Sequence, residues 1–295
     1  MCIFQFSSVR PCPPRPQQFT MLDVEDALER VALGSALLEN QMLAEDLRRA
    51  NRQIDSEARQ VGELQRALLP ASVPQIAGLE IATSYEPTGR AGGDLYDLFA
   101  LDSGRWCIFI GDASGHGLAA AVVMAIVQAV LHAHPDGVAG PARLLTYANR
   151  QLCAKRIGGF FTAFLGVYEP ALRRLTYANG GHPPPLLRRA GDGSVAALDA
   201  VRSFPLGIDG NETFEECSIE LREGDALVLY TDGITEMRNS MREMFSQDRL
   251  MRAFGGGDGN GPEEVICRLR AAVRAHQANE PAAADDQTLV AARAL

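Results

Sequence analysis

Aspartates, most of them set beside glycines, carry the chemistry that can be read in this sequence. They fall in four short motifs: Gly92-Gly93-Asp94 with Asp97 following, Gly111-Asp112-Ala113-Ser114-Gly115-His116-Gly117, Thr231-Asp232-Gly233, and Asp285-Asp286-Gln287-Thr288. Glycine next to a carboxylate lets backbone and ion approach closely. Carboxylates gathered without cysteine or histidine partners suit hard cations, Mg²⁺ or Mn²⁺, rather than zinc. Singly, each motif also reads as an ordinary Asp-Gly turn after a strand; the ordered set is what points to a metal site. Gly92-Gly93-Asp94 also suggests a nucleotide cyclase, but Leu95-Tyr96-Asp97 follows in place of the residues a cyclase needs.

These carboxylates need strands to hold them. Leu79–Tyr85, Trp106–Gly111, Phe161–Tyr168, Arg174–Ala178, Ala226–Tyr230 and Thr288–Ala292 are bounded by Gly, Pro or Asp and are predicted strands. Trp106–Gly111 runs straight into Asp112, Ala226–Tyr230 reaches Asp232 through Thr231, and Asp285-Asp286 sits just before the last strand. Leu118–Leu131, Arg143–Arg150 and Pro262–Gln277 are predicted helices. The apolar run Leu118–Leu131 falls short of the roughly 20 residues a membrane span needs, so it reads as a buried helix. Strands in runs with helices grouped between them give an α+β domain with packed sheets. Gly255–Gly261 has no strand before it and no Lys-Ser/Thr after it, so it reads as a flexible connection rather than a phosphate cradle.

Ahead of that domain, residues 1–20 are Pro-rich and expected to be disordered. Residues 21–69 lack proline and are rich in Leu, Ala, Glu, Arg and Gln, which predicts one long regulatory helix. Val24, Leu28, Val31, Ser35, Leu38 and Met42 alternate four- and three-residue steps. After a one-residue slip, Leu43, Leu47, Ala50, Ile54, Glu57, Val61, Leu64 and Leu68 do the same. That repeat predicts a coiled coil or helical hairpin. A parallel homodimer through this helix is the preferred reading, a helix packed on its own domain the other. Pro70 and Pro74 end the helix, and residues 70–295 form the second domain.

Composition excludes some partners. Against 37 Asp+Glu there are 28 Lys+Arg, a net charge of −9, which a phosphate backbone would repel, so nucleic acid is not an expected partner. The six cysteines form no CxxC pair and read as free thiols in a reducing cytoplasm. Neither a secretory signal nor a membrane span is predicted.

From about Val61 to Leu295 the chain resembles the PP2C-like metal-dependent Ser/Thr phosphatases (PPM family), in their bacterial stress-regulator and sporulation branch. The resemblance rests on Leu64-Gln65-Arg66-Ala67-Leu68-Leu69-Pro70, Gly92-Gly93-Asp94-Leu95-Tyr96-Asp97, Gly111-Asp112-Ala113-Ser114-Gly115-His116-Gly117, Tyr177-Ala178-Asn179-Gly180-Gly181-His182, Tyr230-Thr231-Asp232-Gly233-Ile234-Thr235-Glu236 and Asp285-Asp286-Gln287-Thr288, in that order. It implies an antiparallel β-sandwich flanked by helices, with a site for two Mn²⁺ or Mg²⁺ ions at one edge. By motif position it implies that Asp112 bridges both ions, the Ala113 carbonyl ligates one, Asp94 holds one side, and Asp232 with Asp285 the other. Neighbours on a strand face opposite ways, so only one of Asp285 and Asp286 is a direct ligand; the motif favours Asp285. Asp97 has a supporting or structural role. The implied reaction is in-line attack of a metal-activated water on a phosphoserine or phosphothreonine, without a phosphoenzyme.

The implied substrate is a phosphorylated STAS-domain anti-sigma factor antagonist in a partner-switching circuit, with Glu63–Pro70 coupling the regulatory helix to the site. The alternative is a catalytically silent phosphatase fold that binds a phosphoprotein or scaffolds a dimer; the full set of acidic positions counts against it. Eukaryotic relatives carry a histidine two residues after the bridging aspartate, but here that place is Ser114, so no acid role is transferred and water is the default donor. His116 reads as support for its Gly-rich turn. Arg90, four residues before Asp94, is either a phosphate-binding or a solvated arginine. His182 reads as structural, and His132 and His134, two residues apart, do not share a helix face and are assigned no metal.

Overall fold

The computed structural model describes residues 20–89, 91–115, 117–134, 140–155, 158–257, 261–277 and 285–295. Its contacts define two compact units, one ending at Ile54 and the other spanning Asp55–Leu295. Met21–Leu68 forms one helix, α1, not the hairpin that the repeat also allowed. The heptad residues Leu28, Val31, Leu38, Met42, Leu43, Leu47 and Ile54 are exposed. Further along, within the second unit, Gly62, Gln65 and Leu69 are buried while Leu64 is exposed. Residues three and four apart share a helix face, so within this unit the buried face of the helix differs from the one that carries Leu64.

The second unit holds two five-stranded antiparallel sheets. One is ordered β1 (Leu79–Glu86), β10 (Gln287–Ala294), β9 (Ala226–Tyr230), β6 (Leu186–Arg188), β7 (Val195–Ala197). The other is ordered β2 (Asp94–Ala100), β3 (Trp106–Ala113), β4 (Phe161–Glu169), β5 (Arg174–Gly180), β8 (Cys217–Glu220). Side chains alternate across a strand, and β9 shows the outcome. Leu227 and Leu229 join the same core as Phe109, Leu165 and Val290, whereas Val228 and Tyr230 pack with Leu250, Phe254, Val265 and Leu269. The latter four come from α5 (Ser246–Gly255) and α6 (Pro262–Gln277). On the other sheet, α2 (Leu118–His132) and α3 (Pro141–Lys155) supply Met124, Val127, Leu131, Leu144 and Leu145 to the first core. The layers therefore run helix, sheet, sheet, helix, as the α+β sandwich reading requires.

All the predicted strands and helices of this unit form, with ends moved by a few residues. β2 was not foreseen, because it is buried along most of its length and so shows no polar alternation. β6, β7 and β8 have only three or four residues, too few to register as periodic, and α5 begins without a side-chain cap to announce it. Trp106–Gly111 extends through Asp112 to Ala113, so Asp112 belongs to a strand rather than to the turn after one. Among the described residues, no helix is long and apolar enough to cross a membrane.

Candidate metal centre

Strand register brings the first two aspartates together. In the antiparallel pairing of β2 with β3, Asp94 stands directly opposite Asp112, on one side of the ladder. Gly93 makes the approach possible: a Cβ there would lie 2.7 Å from Asp112 Oδ1 and 2.9 Å from the Ala113 carbonyl oxygen. Asp232 enters from the other sheet, at the end of β9 where α4 (Asp232–Thr235) begins. Asp285 sits two residues before β10, whose Leu289 pairs with Tyr230 of β9. The two sheets thus contribute two aspartates each to one edge of the sandwich.

These charges repel one another. Burial first, then the charge of Asp94, Asp232, Asp285 and Asp286, pushes Asp112 up to about 9. Burial, opposed by hydrogen bonds from Thr288 and Thr231, takes Asp94 to about 8. Asp232 is raised by burial and by Asp285 and Glu236. A carboxylate cluster this crowded is stabilised by counter-charge, and hard cations with oxygen ligands are the chemistry the donor set suits. Among the described residues, no three carboxylates, thiols or imidazoles close on a single point.

Asp286 is engaged elsewhere. It is buried, and its two oxygens accept hydrogen bonds from the backbone N–H of Thr88 (2.7 Å) and of Gly93 (2.7 Å), bracing the segment ahead of Asp94. A Cβ on Gly92 would collide with that carboxylate. Asp285 is exposed and accepts only from the neighbouring Asp286 N–H among the described bonds, so of the pair it has the oxygens to spare. Asp97 is buried on β2 and accepts from His132 Nε2 (2.6 Å), Gln128 Nε2 (3.3 Å) and the Leu98 N–H (2.8 Å). It ties β2 to the end of α2, a structural role, and gives His132 a partner that its position beside His134 did not suggest.

His182 is also structural. Asn179 brackets its main chain through two bonds, and its Nδ1 lies 2.9 Å from Thr162 Oγ1, beside the Asp112 carbonyl. Burial takes the imidazole down to about 3, the Tyr230 backbone opposing, so the ring is neutral at physiological pH. Ser114 Oγ accepts from the Phe160 N–H, while the Ser114 N–H donates to the Phe160 carbonyl. His116 and Arg90 lie outside the described residues.

Two features were not foreseen. Gln65 of α1, 4% exposed, makes a two-point amide bond to the backbone of Gly92, Nε2 to the carbonyl at 2.6 Å and Oε1 from the N–H at 3.0 Å. Gln128 Nε2 also reaches the Leu68 carbonyl. Thr231 and Thr288 both bond Asp94. Gln65, Thr231 and Thr288 fall inside the quoted motifs, but nothing in their spacing names these hydrogen-bond partners.

A two-sheet sandwich with acidic residues from both sheets at one edge is the PP2C-like architecture, and the SiaA-PP2C domain of Pseudomonas aeruginosa superposes with a TM-score of 0.72 at 19% identity, over 83% of this chain and 97% of that one. Residues 102–295 match the family described as Stage II sporulation protein E (SpoIIE). The chain belongs to that family. It is 30% identical over 210 residues to phosphoserine phosphatase RsbU of Bacillus subtilis (strain 168), a match covering 70% of this chain and 61% of that relative's length. The structure of the RsbU and RsbW domains of Rv1364c from Mycobacterium tuberculosis aligns at 28% identity and a TM-score of 0.65, over 77% of this chain and 63% of that one.

Proposed function

We propose that the chain is a metal-dependent protein Ser/Thr phosphatase. The observation that carries the reading is the Asp94–Asp112 pair held opposite in register, with Asp232 and Asp285 arriving from the second sheet. Asp94, Asp112, Asp232, Asp285 and the Ala113 carbonyl would hold two Mn²⁺ or Mg²⁺ ions. Bound there, the ions supply Lewis-acid clamping of phosphate oxygens and an acidified water for in-line attack. The chain's own part is to fix the carboxylates: register sets Asp94 against Asp112, Gly93 admits the Ala113 carbonyl, and Asp286 braces the backbone before Asp94. The likeness to RsbU supports a phosphoserine substrate, and we take it to be a phosphorylated STAS-domain antagonist of an anti-sigma factor. The scattered cysteines favour the cytoplasm as its place of work. The purified chain should release phosphate from an aryl phosphate, and from such a phosphoprotein, only when Mn²⁺ or Mg²⁺ is added. Failure on both substrates sinks the reading.

The exposed heptad seam supports a homodimer through α1, and the Gln65 bond to Gly92 supports coupling of that helix to the site. Charging the seam with Leu38→Glu and Leu47→Glu should halve the mass read by light scattering, since an apolar seam carrying four buried charges in a dimer does not form. An unchanged mass removes the coiled coil.

A further inference from the structure

Asp94 is 1% exposed, and the groups that hold it come from the opposite sheet. Thr231 Oγ1 donates to Asp94 Oδ2 at 2.8 Å and Thr288 Oγ1 donates to the same oxygen at 2.6 Å. Both threonines are fully buried. They are also locked to each other: the Thr288 N–H donates to Thr231 Oγ1 at 3.0 Å, and the Thr231 N–H to the Thr288 carbonyl at 3.2 Å. Thr231 occupies the N-cap position of α4, where a threonine hydroxyl ordinarily accepts from the helix amides, yet it makes no such bond. Its hydroxyl is spent on the Thr288 amide and the Asp94 carboxylate instead. Neither hydroxyl acts on Asp94 Oδ1.

We propose that Thr231 and Thr288 are positioning residues that clasp Asp94 across the two sheets, pin Oδ2, and present Oδ1 to a divalent cation. The inference rests on the reading of Asp94 as a metal ligand. Fixing a carboxylate through one oxygen removes its rotation about the Cβ–Cγ bond, so the ligand is oriented before the ion arrives. Outer partners of this kind set metal affinity by about 10- to 100-fold. The clasp does a second thing: Thr231 directly precedes Asp232 and Thr288 lies three residues after Asp285, so the same pair fixes the spacing between the acidic residues of one sheet and Asp94 of the other.

The test is Mn²⁺ affinity of the full chain by calorimetry, with melting temperature as a fold control. Thr288→Val keeps shape and removes the hydroxyl; it should weaken Mn²⁺ binding by about 10- to 100-fold, while Thr288→Ser should restore it to within about threefold. In an Asp94→Asn background, Thr288→Val should change affinity little, because the oriented carboxylate is already gone. If Thr288→Val does not fold, Thr288→Ser against Thr288→Ala supplies the same comparison. A folded variant without the hydroxyl that binds Mn²⁺ within twofold of wild type overturns the clasp alone. A wild-type chain that binds no Mn²⁺ overturns the metal reading beneath it, and the clasp with it.

Discussion

Asp112→Asn should lower Mn²⁺-supported phosphate release by at least about a thousandfold, the scale expected when a central electrostatic group of a reaction site is neutralised. Asp112 is the group on which the other charges converge: Asp94 faces it across the β2–β3 ladder, and Asp232, Asp285 and Asp286 all raise its proton affinity. Its Oδ1 lies over Gly93, where even a methyl group would collide. The fold should survive. The substitution puts a neutral isostere where the metal-free fold already favours a protonated carboxyl and leaves the β3 backbone pairing with β2 and β4 intact, so the metal-free variant should melt no lower than the metal-free wild type. Steady-state rates and thermal melts of both proteins check the two halves. A variant keeping a tenth of wild-type activity would refute the assignment, and one that melts well below wild type would show that Asp112 serves the fold instead.

How far the sequence discloses this arrangement depends on the kind of signal each residue gives. Asp94, Asp112 and Asp232 stand out because each abuts a glycine, and the motif favours Asp285 over Asp286; strand alternation does not separate the two, since β10 begins only at Gln287. The structure gives that separation a physical content: Asp286 turns inward to two backbone amides, and Asp285 turns outward. The strands that carry these residues are legible where one face is buried and the other is not. β2 is not legible, since burial on both faces erases the alternation. The groups that act at a distance are hidden for a different reason. Thr231, Thr288 and Gln65 matter through single hydrogen bonds to partners 27 to 194 residues away. No local propensity encodes such a pairing; it exists only once both sheets and the end of α1 are in place.

Removing metal should make the protein unusually sensitive to rising pH. Asp94 and Asp112 are raised in the folded chain to about 8 and about 9, whereas in the unfolded chain they titrate near 3.9. Between those limits the folded state holds protons that the unfolded state has released. The stability they provide is therefore complete at acid pH and is lost as pH climbs through about 8 to 9. His182, lowered by burial to about 3, works in the opposite sense: its contribution is present above an unfolded value near 6.5 and falls as pH drops below it. The chelated chain should consequently be most stable in mildly acidic buffer and melt progressively lower from pH 6.5 to 9. Cation binding requires ionised carboxylates, so at pH 7 the coupled pair must release protons as Mn²⁺ enters. At a hundredfold excess over its dissociation constant the ion adds about 2.7 kcal/mol, or about 5 to 10 °C in melting temperature for a domain of this size. Calorimetric titrations in buffers of different ionisation enthalpy count the protons, and melts with chelator or Mn²⁺ across pH 6.5 to 9 read the rest. Proton release near zero at pH 7, or a metal-free melting temperature that rises with pH over that range, would mean that these aspartates do not share the crowded, counter-ion-seeking edge on which the phosphatase reading depends.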